Sequence, residues 1–156
     1  MTGMEGAAVS FGYWVRRGVL SLARELPWAS ERMGAALGER AVHLVVDGEL
    51  AAVRWRDGAA RVRETPELPA TVTLRTSRRA VVALADGDDT LLDAVLAGRV
   101  VLRGATGDLA AFHAALMAFL QGAVRAPSFA PTLDEFRAWQ RARDAGPPPE
   151  ESPDHG

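Results

Sequence analysis

The 156-residue sequence contains no cysteine and no lysine, so all 18 of its basic residues are arginines. Without cysteine there can be neither a disulfide framework nor a thiolate site, and the folded state must rest on packing, as in a cytoplasmic protein. Without lysine there can be no Schiff-base chemistry and no P-loop. These absences remove several enzyme classes and favour a cytoplasmic location.

The sequence also lacks a basic surplus and a long apolar run. Its formal net charge is −2, whereas contacts to nucleic-acid phosphates require a surplus or a concentrated patch of positive charge. No apolar run approaches the roughly 18 residues that span a bilayer. We therefore expect no nucleic-acid partner and no membrane span.

Catalytic and metal-binding patterns are equally scarce. His113 falls within an apolar helical pattern, but a catalytic role would require a partner such as Tyr13 or Asp93, and their spacing gives no evidence of one. The other two histidines fall on a polar strand face and in the tail, and the acidic loop at 86–89 lacks the calcium-loop spacing. The sequence predicts no catalytic residue, no metal site and no cofactor.

Two Asp-Gly dipeptides, Asp47-Gly48 and Asp57-Gly58, lie between runs that alternate apolar and polar residues. Asp-Gly favours the type I′ turn, because both central residues of that turn need positive φ. Residues 41–64 therefore predict a three-stranded meander that pairs Val46 with Glu49 and Arg56 with Ala59.

The predicted register separates two faces of the meander, because side chains alternate along a strand. One face is apolar and should be covered, and it carries Val42, Leu44, Val46, Ala51, Val53, Trp55, Ala60 and Val62. The opposite face is polar and carries His43, Arg54, Arg56, Arg61 and Arg63. Its four arginines form a candidate surface for an anionic membrane or an acidic protein partner; the alternative is a solvated face.

Further elements follow from apolar periodicity, caps and breakers. Asp108 is predicted to cap the longest helix, which Pro127 ends, and Thr132 with Glu135 is predicted to form a capping box. The predicted helices are 10–26, 30–37, 77–84, 91–97, 107–126 and one starting at Thr132, and the further strands are 70–76 and 99–104.

These elements predict an α+β fold with a sheet of about five mostly antiparallel strands, covered on one face by helices. The predicted organisation is an N-terminal extension helix at 1–29, a central domain at 30–126, a C-terminal helix at 127–145 and a disordered tail at 146–156. Whether the apolar layers interlock or leave a cavity cannot be decided from composition.

The order of elements between residues 30 and 124 resembles the sterol-carrier-protein-type lipid-binding domain. The matching pieces are the Asp57-Gly58 hairpin, the strand 71–74, the segment 94–99 and the strand that ends at Gly104. The resemblance implies an apolar cavity enclosed between sheet and helices, which takes acyl chains, sterols or similar molecules. Residues 105–107 separate Gly104 from Asp108, a departure from the closely spaced pair of that family.

On this interpretation the chain binds an apolar small molecule or lipid and carries or presents it. The expected ligand-binding residues are Trp14, Val53, Trp55, Val62, Val72, Leu74, Phe112, Leu116, Phe119 and Leu120. Three alternatives stay open: a cofactor-free cyclase or isomerase assisted by His113 or Tyr13, an accessory subunit of a lipid, quinone or natural-product pathway, and a homodimer with a filled core. The terminal helices could gate the cavity or simply pack on the domain.

Overall fold

A computed structural model describes residues 9–66 and 69–146 of the chain. The tail predicted to be disordered lies outside these residues except for Gly146. The elements run in the order α1 (Phe11–Glu25), α2 (Pro27–Leu37), β1 (Ala41–Val46), β2 (Glu49–Arg56), β3 (Ala59–Arg63), β4 (Val72–Thr76), α3 (Arg78–Ala85), α4 (Leu91–Leu96), β5 (Val101–Arg103), α5 (Thr106–Ala123) and α6 (Phe129–Ala145).

The five strands form one sheet in the order β3-β2-β1-β4-β5. The predicted meander register is confirmed, since Val46 pairs with Glu49 and Arg56 pairs with Ala59. Both Asp-Gly turns have positive φ at their two central residues, as a type I′ turn requires. Strand β4 pairs with β1 in parallel, and the other pairings are antiparallel, so the sheet is mixed but mostly antiparallel.

Helices lie on the apolar face of the sheet and pack closely where small residues allow it. A Cβ atom on Gly122 of α5 would lie 2.5 Å from Leu22 of α1 and 2.6 Å from Ala29 of α2. A Cβ atom on Gly34 of α2 would lie 2.2 Å from the Trp55 ring of β2. These two glycines let three helices and the sheet approach at distances that larger residues would prevent.

The starts of three helices differ from the prediction. Helix α2 begins at Pro27, directly after Leu26, because proline suits the first position of a helix, where its missing N–H is not needed. Helix α5 begins at Thr106 with Ala105 as its cap residue, so Asp108 does not cap it. Asp108 instead accepts a hydrogen bond of 2.8 Å from Nε of Arg40.

The predicted capping box is also wrong. Helix α6 begins at Phe129, and Pro131 lies within its first turn, where the absent N–H has no helical partner to lose. Thr132 and Glu135 are therefore helical residues, and Glu135 forms an ion pair with Arg17 of α1. Both predicted terminal helices are confirmed; Ser10 caps the first as predicted, and only the start of the second is displaced.

One residue on the predicted polar face is not exposed. His43 lies on that face but retains only 9% of its accessible surface. It pairs with Ala52 of β2 and with Thr73 of β4, so neighbouring strands flank it on both sides. His43 therefore lies in the middle of the sheet, whereas the four arginines lie on β2 and β3.

Candidate functional site

A cavity of about 540 Å³ lies between the apolar face of the sheet and the helices. Strands β1, β2 and β4 supply its base through alternate side chains, which are Val42, Leu44, Val46, Val53, Leu74 and Thr76. These positions share one face because side chains alternate along each strand and the strands are paired in register. The sheet therefore contributes an almost wholly apolar wall.

Helix α5 forms a second wall in which large and small residues are mixed. Phe112, Leu116 and Phe119 point large side chains at the cavity, whereas Ala115 and Ala123 contribute only methyl groups. Buried apolar layers normally interlock at close to crystal density. Small residues among large ones leave part of this space unfilled.

Helices α1 and α6 close the cavity with aromatic side chains. The ring centroids of Trp14 and Phe136 are 5.6 Å apart, those of Phe11 and Phe136 are 6.3 Å apart, and all three residues line the cavity. Trp139 extends this cluster, with its centroid 5.8 Å from that of Trp14. The two terminal helices are therefore part of the cavity wall.

Polar contacts join the same two helices at the protein surface. The guanidinium of Arg17 donates to the carboxylate of Glu135, and this hydrogen bond lowers the pKa of Glu135 and raises that of Arg17. At the connection between α5 and α6, the backbone N–H of Ser128 donates to Glu25 of α1 over 3.0 Å. These contacts fix α6 against α1 at two separate places.

The far end of α6 is held through Arg78 of α3. Its guanidinium lies 5.5 Å from the ring centroid of Trp139 and 3.6 Å from the carboxylate of Glu49. Arg143 stacks on the same tryptophan ring at 5.0 Å and reaches Glu49 at 3.4 Å. Cation–π and ionic contacts thus anchor α6 to the first turn of α3 and to β2.

The cavity reaches the surface beside α5 and the start of α4. Among its lining residues, Met117 and Leu120 of α5 are 40% and 39% exposed, and Thr90, which caps α4, is also exposed. A lining residue that also meets solvent marks the place where a cavity opens. We call the position of Thr90, Met117 and Leu120 the mouth.

The lining contains little charge. Among the described residues that form it, the one charged side chain is Asp89, whose carboxylate is held by Arg99 at 2.8 Å. The other polar groups of the lining are the hydroxyl groups of Ser21, Thr76, Thr90, Ser128 and Thr132 and the indole N–H of Trp14, which is buried without a hydrogen-bond partner among the described residues. A cationic group that could neutralise an anionic ligand is therefore missing from the described wall.

Most of the expected ligand-binding residues border this cavity. Those in the lining are Trp14, Val53, Leu74, Phe112, Leu116, Phe119 and Leu120. The other three are elsewhere: Trp55 is covered by Gly34 of α2, Val62 packs in the cluster around Phe11, and Val72 packs beside Leu37. They lie on the same sheet face as the lining, but helices lie directly on them.

Sequence reasoning did not assign several lining residues of the terminal helices to the cavity. Phe11, Val15 and Val19 of α1, and Leu133 and Phe136 of α6, all contribute to the wall. Their helical spacing is visible in the sequence, but the same spacing describes ordinary core packing. The spacing of apolar residues does not determine where a helix lies relative to the sheet.

The residues considered for catalysis lie away from the cavity. His113 and Tyr13 are both exposed, and neither belongs to the lining. Within residues 9–66 and 69–146, no group of three or more His, Cys, Asp or Glu side chains could hold a metal ion. The structure therefore gives the proposed cyclase or isomerase roles of His113 and Tyr13 no geometric support.

The four arginines of the opposite face lie together, as their register predicts. Arg54 of β2 pairs directly with Arg61 of β3, and with Arg56 and Arg63 they surround a cleft of about 90 Å³. This cleft lies on the other side of the sheet from the cavity. We call it the arginine cleft.

Comparisons with known proteins found similar solved structures but no matching sequence. No protein-family model matches the sequence, and no curated protein sequence matches it either. A ubiquinone synthesis protein, UbiJ-SCP2, is 16% identical, with a TM-score of 0.52 over 71% of this chain and 96% of the other. The sterol carrier protein domain 2 of Helicoverpa armigera is 16% identical, with a TM-score of 0.50 over 71% of this chain and 84% of the other.

A third similar structure is part of a much larger enzyme. A double mutant of the sec-alkyl sulfatase PisA1 is 18% identical, with a TM-score of 0.51 over 68% of this chain. The chain spans only 16% of that enzyme's length. The chain therefore has a sterol-carrier-protein-type fold, as its element order indicated. No helix in the described part has both the length and the apolar character needed to cross a membrane.

Proposed function

We propose that this chain binds a neutral apolar molecule in its cavity and carries or presents it without transforming it. The observation that carries the proposal is an apolar space of about 540 Å³ within a sterol-carrier-type fold. Ligand sites commonly have volumes of roughly 300 to 1,000 Å³. An acyl chain, a sterol-like molecule or an isoprenoid has the size and the apolar surface that suit this space.

The near absence of charge in the lining favours a neutral ligand over a fatty acid anion. A carboxylate taken from water into an apolar site loses its hydration, and this is costly unless a cation or several donors replace it. The charged group in the described lining is the carboxylate of Asp89, which is already paired with Arg99 and offers an anionic ligand no compensating positive charge. A long-chain alcohol, sterol or quinone would enter without that penalty.

The mouth supports a carrier role, since its apolar residues meet solvent. Met117 and Leu120 line the cavity and are also exposed. A ligand can enter there without the terminal helices separating, and the bonds of Arg17 to Glu135 and of Glu25 to Ser128 can remain in place. In this proposal α1 and α6 serve as wall, and gating by them is not needed.

A second candidate is an accessory subunit of a lipid or quinone pathway. One of the similar structures is that of a ubiquinone synthesis protein, and an isoprenoid quinone is neutral and apolar. In this role the chain would present its ligand to other proteins. A cytoplasmic location and a homodimer stay predictions from the sequence.

The test compares a neutral and an anionic probe of equal chain length. Delipidated full-length protein is titrated with hexadecanol and with palmitate, and native mass spectrometry counts the bound molecules. We expect one saturable hexadecanol site and palmitate binding weaker by at least about tenfold, which corresponds to about 1.4 kcal/mol. Tighter palmitate binding would contradict neutrality, and binding of neither probe would contradict the carrier role.

A cavity-filling variant locates the site. Leu116→Trp adds bulk to the cavity wall and should weaken hexadecanol binding, whereas His113→Trp adds similar bulk on the exposed side of the same helix and should not. Circular dichroism confirms that both variants fold. Equal hexadecanol affinity in the two variants would place the ligand outside the cavity.

A further inference from the structure

The opposite face of the sheet carries a feature that a lipid carrier does not need. Arg54, Arg56, Arg61 and Arg63 surround a cleft of about 90 Å³, and these four side chains are its whole described lining. We propose that the arginine cleft is a binding site for the phosphate group of a soluble molecule. This site is separate from the lipid cavity and independent of the function proposed for it.

The geometry of the edge hairpin concentrates positive charge. Arg54 and Arg61 are directly paired across β2 and β3, and Arg56 and Arg63 are two residues further along each strand on the same face. Like charges that lie directly opposite each other destabilise a strand pair. A bound anion would offset this repulsion and would give the exposed guanidinium groups of Arg56 and Arg61 a partner.

Charge partners within the protein leave this site only partly neutralised. Arg54 and Arg63 already take part in other interactions of the protein. Arg56 and Arg61 are exposed, and neither forms an ion pair with a residue of 9–66 or 69–146. At least these two guanidinium groups can turn toward a ligand at little cost.

The number of donors favours phosphate over carboxylate. A guanidinium group offers paired N–H donors that match two oxygens of a phosphate or carboxylate. A carboxylate has two oxygens, whereas a phosphate monoester has three terminal oxygens and a charge between about −1.5 and −2 at pH 7. Several arginines around one small cleft can therefore be satisfied together by phosphate more fully than by carboxylate.

The size and location of the cleft favour a soluble source of the phosphate over a bilayer. A cleft of 90 Å³ equals the liquid volume of about three water molecules, which suits one phosphate group. The mouth of the lipid cavity lies among α4 and α5, on the helical side of the sheet. A bilayer that exchanged lipid at the mouth could not contact the arginine cleft at the same time.

The experiment uses isothermal titration of the full chain with inorganic phosphate, at an ionic strength held constant with chloride. We expect a saturable site whose affinity falls at least tenfold in Arg56→Gln/Arg61→Gln. The matched control is Arg79→Gln/Arg141→Gln, which removes the same charge from two exposed helical positions. Phosphate affinity should be unchanged in the control.

Two further arms distinguish other sources of negative charge. Vesicles of phosphatidylglycerol and of phosphatidylcholine are sedimented with the protein, and a poly-glutamate peptide replaces phosphate in the titration. Heat released by phosphate equally in the wild type and in both variants would overturn the proposal. Arginine-dependent binding to phosphatidylglycerol or to poly-glutamate without a saturable phosphate site would overturn it too.

Failure of this site can be separated from failure of the lipid cavity. Leu116→Trp narrows the cavity and leaves the opposite face of the sheet untouched, so it should keep full phosphate affinity. Arg56→Gln/Arg61→Gln should keep full hexadecanol affinity. Loss of both activities in either variant would contradict the assignment of two independent sites.

Discussion

Val53 and Arg54 are neighbours in β2, and Arg61 and Val62 are neighbours in β3, yet each pair divides between the two faces of the sheet. Val53 lines a space that is almost free of charge, while Arg54 and Arg61 border a cleft enclosed by guanidinium groups. The strand period of two places opposite chemistry on opposite faces only one residue apart. One thin sheet can thereby separate a site for a neutral ligand from a site for an anion.

The two faces also differ in what covers them. On the apolar face, helices contact some side chains directly and leave others bordering the cavity, as Trp55 and Val53 show. On the arginine face, Arg56, Arg61 and Arg63 are exposed to solvent. In our two proposals, the face on which a residue lies decides the kind of ligand, and the placement of the helices decides which residues can reach it.

The largest expected effect tests the distinction, within the apolar face, between side chains covered by helices and side chains that line the cavity. Trp55→Ala should lower the free energy of unfolding by about 3 kcal/mol, because it removes a large ring packed against Gly34. It should leave hexadecanol affinity nearly unchanged, since Trp55 is not among the lining residues. Urea unfolding and the hexadecanol titration measure the two quantities.

Leu120→Ala is the matched control, because Leu120 lines the cavity and is 39% exposed. It should weaken hexadecanol binding and lower stability much less than Trp55→Ala. If folded Trp55→Ala protein binds no hexadecanol, then Trp55 reaches the ligand, and its assignment to the covered residues outside the lining is wrong.

The same distinction shows what could be predicted from the sequence. Alternation and two Asp-Gly turns determine the meander register, so the division between Val53 and Arg54 was predictable. Apolar periodicity, caps and breakers predicted the remaining elements, and the family resemblance was read from their order. The position of α2 over Trp55 depends on the close approach at Gly34, which no local pattern contains. The sequence therefore predicted the correct face for Trp55, Val62 and Val72. In the structure, however, these three residues are not part of the cavity lining.

Helix starts were hard to predict for a related reason. Ser, Thr, Asp and Glu can cap a helix, but they can equally pair with a distant side chain. Asp108 pairs with Arg40 in the connection between α2 and β1, and Glu135 pairs with Arg17 of α1, so both partners are far away in sequence. Competition from tertiary partners is invisible until the helices are positioned.

A smaller expected effect tests how much the repulsion between Arg54 and Arg61 lowers the free energy of unfolding. Arg61→Thr removes the charge directly opposite Arg54 and introduces a residue suited to a strand. In the absence of phosphate it should raise the free energy of unfolding by roughly 0.2 to 1 kcal/mol. Urea unfolding in low-salt buffer measures the change, and 1 M NaCl should reduce it by screening.

Arg63→Thr provides the control on the same strand and face. Arg63 is paired with Ala52 and has an interaction of its own, so its removal should bring no gain in stability. Equal stabilisation by the two variants would mean that general charge, and not the Arg54–Arg61 pair, opposes folding.

The smallest expected effect concerns the ionic contact on the cavity side. Arg17 lowers the pKa of Glu135 below its ordinary value of 4.5 by hydrogen bonding to the ionised carboxylate. A carboxyl group whose pKa is lower in the folded state stabilises the fold above its unfolded pKa, and this stabilisation is lost as pH falls through the folded pKa. Because the pair is largely exposed, its contribution is small. Glu135→Gln should therefore lower Tm slightly and constantly between pH 7 and 5, and the difference should close as the pH falls below 4.5.

The partner variant and the double variant complete this test of the ionic contact. Arg17→Gln should behave in the same way as Glu135→Gln, and the double variant should lose no more than either single one. A Tm difference that persists once the pH is below the folded pKa of Glu135 would show that Glu135 supports α6 by something other than its charge. The Arg17–Glu135 contact would then add nothing to the closure of the cavity side, which the aromatic cluster of Trp14, Phe136 and Trp139 and the contacts of Arg78 and Arg143 with Glu49 would maintain.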